Sequence, residues 1–263
     1  LVSSDVGCPH SYSLGAEDVK RMVDADLIVS NGLGIESFLD SRILRDGGIG
    51  NRSGGSGPRL ITLSDDCEVI RDEHHHHAGE SHADHDHEDE VNPHVWVSPR
   101  EAIRQVQTLA RKLAEHDPTH ATEYQRNATL YIGRLSDLQN RFTAAIPGFA
   151  RRNIVTFHDA FAYLARDLNL NVVATLTQDP GHAPSAREIA DTVNRIRASS
   201  AAAIFYEPAY PDALARTLSR ETGVPVYPLN PLTTIGSAPA GRSYEDGMER
   251  SRRPLQQALG GSS

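Results

Sequence analysis

Residues 154–176 read IVTFHDAFAYLARDLNLNVVATL, and this stretch contains the pattern that decides the fold. Two short apolar runs, at 154–158 and 172–176, lie on either side of a segment with helical spacing at 160–168. Apolar runs of this length are typical of strands buried on both faces, and strands that alternate with helices form parallel sheets. The stretch therefore predicts a strand–helix–strand unit with parallel strands.

The same alternation continues in both directions from this unit. The C-terminal half is predicted to add strands at 202–206 and 224–228 and helices at 184–199, 211–222 and 243–259. The N-terminal half is predicted to contain helices at 13–24 and 35–45 and strands at 25–31, at 60–63 and around Val95. The fold class is therefore α/β, with mostly parallel sheets flanked by helices.

A long helix is predicted between the two halves. Ser98-Pro99-Arg100-Glu101 has the residues of a helix start, and the helix is expected to run to about residue 115. After Asp117-Pro118 a second helix is predicted at 119–145, which at ~1.5 Å per residue is about 40 Å long. We expect this second helix to be a spine that joins two lobes. The predicted units are 1–117, 118–146 and 147–263.

Residues 72–90 form a low-complexity run of histidine and acid. Eight acids and no Lys or Arg give this run a charge of −8, so in a chain of net charge −9 the remainder carries −1. Because so few apolar residues cannot offset the entropy of ordering, we expect a mobile loop. Imidazole binds zinc well, so the loop is predicted to collect metal, with a solvated acidic linker as the alternative. Its histidines are His74, His75, His76, His77, His82, His85 and His87.

The composition also argues against several classes of function. The rest of the chain is nearly neutral and has no cluster of basic residues of the kind that binds nucleic acid. The sequence contains no run of 18 apolar residues, so it predicts no transmembrane helix. The chain opens without the basic and apolar regions of a signal peptide. The only two cysteines, Cys8 and Cys67, fit no zinc-ribbon spacing and leave one disulfide open as an alternative.

Ligands of open α/β sheets bind beyond the carboxyl ends of the strands. Four polar residues are predicted to lie at or just after such ends: His94, His158, Glu207 and Asn230. Their position makes them stronger candidates for a binding site than other polar residues of the chain.

Six short motifs follow one another along the chain. They are PHSY at 9–12, NPHVWVSP at 92–99, FHDAFAYLARDLNL at 157–170, APSAREI at 183–189, FYEP at 205–208 and LNPL at 229–232. Their order resembles the zinc branch of the metal-binding solute receptors of ABC importers, over nearly the whole chain and including a His-rich loop. The resemblance implies two α/β lobes joined by one long helix, with the metal in the cleft between them. It also implies that the first strand and helix typical of the family are lacking from the first lobe.

Carried over by position, the resemblance implies three imidazole ligands, His10, His94 and His158. A histidine in the third place favours Zn²⁺ over Mn²⁺, because imidazole suits zinc and carboxylate oxygen suits manganese. Many members have Asp in the fourth place, where this chain has Asn230. Asn230 or water is therefore the predicted fourth ligand, and a turn residue before Pro231 is the alternative for Asn230.

Metal-bound imidazoles usually donate their other N–H to a carboxylate or carbonyl oxygen. Glu207, Asp159 and Glu36 are the predicted partners of this kind in this chain.

The expected function is that of a periplasmic or extracytoplasmic zinc receptor, monomeric, which delivers Zn²⁺ to the membrane permease of an ABC importer. The receptor is expected to be membrane-associated through the transporter, and a zinc metallochaperone is a further candidate partner. One alternative is a zinc buffer or chaperone dominated by the His-rich loop. Another is a zinc hydrolase or hydratase with three histidine ligands, although the chain has no HExxH motif.

Overall fold

The computed structural model describes residues 12–39, 58–71, 91–176, 184–233 and 243–260, and the account below concerns these residues. The strands are β1 (Leu27–Ser30), β2 (Arg59–Thr62), β3 (Asn153–Thr156), β4 (Asn171–Thr175), β5 (Ala203–Tyr206) and β6 (Val226–Pro228). The helices are α1 (Ala16–Val23), α2 (Pro99–His116), α3 (Ala121–Thr143), α4 (Ala162–Asp167), α5 (Ala186–Ser199), α6 (Ala213–Thr222) and α7 (Ser243–Leu259).

The described strands form two parallel sheets, as the alternation of strands and helices predicts. One sheet pairs β1 with β2, and the other has the order β4-β3-β5-β6. From β3 the chain first adds β4 on one side and then places β5 on the other side. The strand order therefore reverses between β3 and β5, and this is the point where open α/β sheets bind their ligands.

The helix start predicted at Ser98 is present in the structure. The Ser98 hydroxyl oxygen accepts the backbone N–H of Glu101 at 3.1 Å and caps α2. The following helix, α3, has 23 residues and is therefore about 34 Å long. It packs against α2 and α7. A spine between two lobes remains our prediction for α3, and none of the described helices is both long and apolar enough to cross a bilayer.

The strand predicted around Val95 is wrong. Residues Val95–Val97 form a single 3₁₀ turn, in which the N–H of Val97 donates to the carbonyl of His94 at 3.2 Å. Pro93 has no N–H for a strand ladder, and α2 begins at Pro99, so the segment turns directly into the helix.

The helix predicted at 35–45 is also wrong for the residues of this range that the structure describes. Residues 35–39 lie in turns, and residues 40–45 lie outside the described part of the chain. Three residues just before them, Gly32, Leu33 and Gly34, have positive φ values of 86°, 59° and 80°. Within 35–39 the N–H of Leu39 donates to the carbonyl of Glu36 at 2.8 Å, and a bond that spans three residues closes a turn, whereas an α-helical bond spans four.

Two apolar clusters cover the four-stranded sheet that the described residues form. One of them contains Leu138 and Phe142 of α3 together with Phe161, which lies between β3 and α4. Val97, which follows β2 in the chain and precedes α2, belongs to this same cluster. The segment 92–98 is therefore packed on the second sheet although it belongs to the N-terminal half of the sequence.

A matched pair of leucines on α3 tests this packing. Leu138 is 0% exposed within the cluster, whereas Leu130 on the same helix is 66% exposed. We expect Leu138→Ala to lower the free energy of unfolding by about 2–5 kcal/mol, because it leaves a cavity. Leu130→Ala should change it by less than about 0.5 kcal/mol. Urea unfolding of both variants measures the difference, and equal losses would contradict the described packing of α3.

Candidate metal centre

Two buried polar side chains lie at the reversal point of the second sheet. His158 follows the end of β3 by two residues, and Glu207 directly follows β5. They are 3% and 2% exposed. The parallel pairing of β3 with β5 brings these two strand ends together, so the sequence prediction that polar residues gather at strand ends holds for both.

His94 contacts His158 across this end of the sheet. Their Nε2 atoms are 3.3 Å apart, and the two rings meet edge to face with an angle of 75°. Two nitrogen ligands at ~2.0–2.1 Å from one tetrahedral zinc ion are themselves about 3.3–3.4 Å apart. The two side chains, called the imidazole pair below, therefore have the separation that a shared zinc ion requires.

The other ring nitrogen of each histidine is held by an oxygen atom. His158 Nδ1 contacts the carboxylate of Glu207, and His94 Nδ1 lies 3.0 Å from Oδ1 of Asn92. These oxygens accept hydrogen bonds, so the proton of each neutral ring is on Nδ1. Each Nε2 then has a lone pair, and two lone pairs face each other without a proton between them. A cation between the two nitrogens removes that repulsion, so the arrangement is chemically suited to a metal ion.

Asn92 was not predicted as a site residue. It is 2% exposed, and its Oδ1 accepts both the backbone N–H of His94 at 3.0 Å and the Nδ1 hydrogen of the same residue. The available signal was local: Asn side chains commonly hydrogen-bond the backbone two residues further on. The position of Asn92 two residues before His94 therefore already allowed this turn.

The segment 92–98 is anchored to elements of the C-terminal half by Trp96. The indole Nε1–H donates to the carbonyl of Pro231 at 2.7 Å, and the Tyr244 hydroxyl donates to the carbonyl of Trp96 at 2.8 Å. The anchored segment carries one member of the imidazole pair, and β3 leads to the other. His94 is thus linked to the C-terminal half through Trp96, and the neighbouring Pro93 carbonyl also accepts the Asn31 Nδ2–H of the N-terminal half at 2.9 Å.

The other two predicted partners of the ligands have different contacts. Asp159 accepts hydrogen bonds from Asn92 Nδ2, through its backbone carbonyl at 2.8 Å and through its carboxylate. It therefore reaches His94 through Asn92. The Glu36 carboxylate accepts the backbone N–H groups of Asn31 at 2.6 Å and Gly32 at 3.0 Å, so in the described residues it stabilises the turn after β1.

Asn230 has the contacts of a turn residue. Its Oδ1 accepts the backbone N–H of Leu232 at 2.8 Å, and Leu232 has a positive φ of 59°. The turn interpretation of Asn230 is thereby observed, and its role as fourth ligand stays a prediction. Since a carbonyl oxygen has two lone pairs, one remains for a water or a metal ion.

The first predicted ligand, His10, lies outside the described residues, as do the seven histidines between 72 and 90. Within the part of the chain that the structure describes, no group of three or more His, Cys, Asp or Glu side chains could hold a metal ion. The imidazole pair is thus the portion of the predicted site that can be described, and the complete ligand set remains a prediction.

Cys67 is a free thiol, so the disulfide left open by the sequence is not present at this residue. Burial raises the pKa of the Cys67 thiol to about 12, with a further contribution from the charge of Glu101. The group therefore stays protonated at neutral pH. A thiol, unlike a thiolate, is a poor metal ligand, and Cys67 is not a candidate for the site.

A parallel α/β fold with an imidazole pair beside the end of β3 is the arrangement expected of a metal-binding solute-binding protein. It belongs to the ZnuA family, described as zinc-uptake complex component A, periplasmic, whose family model matches residues 1–258. The family predicted from the six motifs is thereby confirmed. The members of this family are zinc-uptake components, which confirms that the chain is not an enzyme.

Three similar proteins illustrate the relationship. The zinc-binding lipoprotein AdcA of Streptococcus pneumoniae (strain ATCC BAA-255 / R6) is 29% identical over 251 residues, covering 95% of this chain and 49% of AdcA. The high-affinity zinc uptake system protein ZnuA of Bacillus subtilis (strain 168) is 26% identical over 262 residues, covering 98% of this chain and 79% of that protein. The SBP FpvC from P. aeruginosa, solved with Ni²⁺, has a TM-score of 0.78 at 28% identity, covering 97% and 87% of the two chains. The chain thus spans about half the length of AdcA.

Substitution of the predicted ligands tests the site. His94→Ala and His158→Ala each remove one ligand nitrogen. Loss of a residue that only hydrogen-bonds a ligand typically weakens metal binding ~10–100-fold, so each of these two changes should weaken zinc binding by more than that. The resemblance predicts the same for His10→Ala. Calorimetric titration in competition with a chelator measures these affinities. Unchanged affinity in two of the three variants would refute the assignment.

Two other histidines provide controls for that experiment, and their replacement by Ala should leave the affinity unchanged. His116 ends α2, about 25 Å along the helix axis from its start near the site. His120 Nδ1 lies 2.6 Å from the Asp117 carboxylate, and this hydrogen bond raises the pKa of His120.

Zinc binding should weaken as the solution becomes more acidic. Imidazoles bind metal only when Nε2 is unprotonated, so protons compete with zinc for the same lone pairs. We expect the affinity to fall steeply below the ordinary histidine pKa of ~6.5, more so with each imidazole in the site. Titrations between about pH 7 and about pH 5 check this, and a flat profile is incompatible with imidazole ligands.

Proposed function

We propose that this protein is an extracytoplasmic zinc receptor, which binds one Zn²⁺ tightly and delivers it to the membrane permease of an ABC importer. The imidazole pair supplies two ligands, His10 supplies the third, and Asn230 or water takes the fourth position. Membership of the ZnuA family supports this proposal, as does the similarity to the zinc-binding lipoprotein AdcA and to the zinc uptake protein ZnuA of B. subtilis.

One observation carries the proposal. The Nε2 atoms of His94 and His158 face each other at 3.3 Å, and the Nδ1 atom of each ring is directed to an oxygen atom. Both imidazoles are thereby oriented for one shared cation. If the two histidines had only a structural role, one ring would be expected to donate a hydrogen bond to the facing nitrogen of the other. Glu207 and Asn92 instead accept the ring proton at Nδ1 of His158 and His94, which leaves no proton between the facing nitrogens.

The donor atoms favour zinc over manganese. Imidazole nitrogen suits zinc, whereas manganese prefers carboxylate and water oxygen. The two carboxylates nearest the pair, those of Glu207 and Asp159, contact His158 and Asn92. We therefore expect Mn²⁺ to compete poorly with Zn²⁺ at this site.

The only tryptophan of the chain offers a direct readout for this proposal. The ring of Trp96 lies 5.3 Å from that of His94, so binding of a metal ion should change its fluorescence. Zinc titration of the protein should give a saturable change at one equivalent, and excess Mn²⁺ should leave it in place. A change that persists in His158→Ala, or that Mn²⁺ abolishes at equal concentration, would contradict a zinc-selective site.

The chief alternative is a zinc buffer or chaperone in which the histidine-rich run does the binding. Seven imidazoles and eight carboxylates between 72 and 90 should capture zinc weakly and at several alternative places. The run ends three residues before Pro93, so captured ions have a raised effective concentration at the site. The charge of −8 attracts cations over the screening distance of about 8–10 Å at physiological salt.

Deleting residues 74–87 separates the receptor from the buffer. The receptor should keep one tight zinc equivalent of almost unchanged affinity, because the ends of packed elements hold its ligands in place. It should lose only the weaker extra equivalents, and it should load more slowly when zinc is scarce.

Calorimetric titration of the deletion variant beside the full chain provides the measurement. A second variant, His158→Ala in the full chain, should show the reverse pattern, with the weak equivalents kept and the tight one lost. Disappearance of the tight equivalent together with the run would mean that the run itself is the binding site.

A further inference from the structure

The residues on either side of positions 72–90 lie next to each other and form a short neck, which we define as Ile70, Arg71, Val91 and Asn92. Arg71 and Val91 form an isolated antiparallel bridge. The N–H of Asn92 donates to the carbonyl of Ile70 at 3.0 Å. The neck is therefore a fixed piece of backbone, and one of its four residues is the partner of His94.

A single hydroxyl group joins both sides of this neck. The Tyr163 hydroxyl, on α4, donates to the carbonyl of Asn92 at 2.6 Å and accepts the N–H of Ile70 at 3.0 Å. Tyr163 is 0% exposed, and its ring packs inside the protein. The hydroxyl group thus donates to one side of the neck and accepts from the other side.

The Asn92 side chain has no alternative orientation in this environment. Its Nδ2 donates to the backbone carbonyl of Asp159 at 2.8 Å, and its Oδ1 accepts from the backbone N–H and the Nδ1 atom of His94. An exchange of the amide oxygen and nitrogen would bring two donors together and two acceptors together. The hydrogen bonds therefore favour the orientation in which the oxygen faces His94 and Nε2 of that ring faces His158.

We propose that Asn92 and Tyr163 are positioning residues of the zinc site, an inference that rests on the proposed function. Tyr163 fixes the backbone of Asn92 by clasping the neck, and the Asn92 amide fixes the ring of His94. The two imidazoles then have unlike supports: His158 is held by a carboxylate, whereas His94 is held by a neutral amide that is itself held from α4 and from Asp159.

Substitution of Asn92 tests the direct support. Asn92→Ala removes the oxygen at His94 Nδ1, so zinc affinity should fall about 10–100-fold, the usual loss for an outer partner of a metal ligand. Asn92→Asp keeps an oxygen at that position and should recover most of the affinity. If Asn92 only stabilises the fold, the Asp variant should bind no better than the Ala variant, because it places a second carboxylate against Asp159.

Tyr163→Phe tests the clasp with the ring packing retained. It removes both hydrogen bonds to the neck, and we expect a few-fold loss of zinc affinity with a faster zinc release. Tyr124→Phe is the matched control, because the Tyr124 hydroxyl donates to Asp117 at 2.9 Å and contacts no residue of the neck. This control should bind zinc as the unaltered protein does.

Competition titration with zinc and a chelator gives the affinities, and Co²⁺ in place of zinc gives an absorption spectrum that reports the coordination geometry. The spectrum should change in Asn92→Ala and in Tyr163→Phe, and stay unaltered in Tyr124→Phe. Unchanged affinity and spectrum in Tyr163→Phe and in whichever Asn92 variants fold would overturn the inference while the proposed function stands. If His158→Ala binds zinc as tightly as the unaltered protein, the proposed function fails and the inference fails with it.

Discussion

A neutral imidazole has one N–H and one lone pair, and this constraint governs the whole site. Two histidines can share a cation only if each has its proton on the nitrogen that faces away from the other ring. In this protein Glu207 and Asn92 occupy those outward positions, against His158 and His94. The remaining nitrogens then face each other at 3.3 Å. The facing arrangement of the two imidazoles therefore depends on two oxygen atoms that are not themselves predicted ligands.

The fold places those two oxygen atoms by different means. Glu207 follows β5 and His158 follows β3, so the parallel pairing of these neighbouring strands brings them together. Asn92 precedes α2, and it reaches the site because its segment is packed on the second sheet through Val97 and Trp96. One support is thus built into a sheet, and the other depends on docking between distant parts of the chain.

A buried ion pair next to the neck strengthens the packing of these distant parts of the chain. Glu101 of α2 is 0% exposed, and its carboxylate pairs with Arg166 of α4 at 2.6 Å and accepts the N–H of Glu68 at 3.0 Å. A buried carboxylate of this kind is tolerated only when it is paired and hydrogen-bonded, so α2 and α4 are held in one relative position. Since α4 also carries Tyr163, the same junction fixes the distance between the neck and the second sheet.

The sequence by itself determined the α/β class, the capped start of α2 and the places of His158 and Glu207 at the ends of strands, because periodicity and capping are local properties. That these two residues are neighbours follows from the pairing of β3 with β5, which the tertiary structure decided. Only the structure showed the turn at Val95–Val97, the contact of Asn92 with the ring of His94, which the sequence merely allowed, and the hydrogen bond of Asn230 within its own turn. The contact between the two imidazoles joins residues 64 positions apart. A distance of that kind is set by the packing of whole elements, which no local pattern contains.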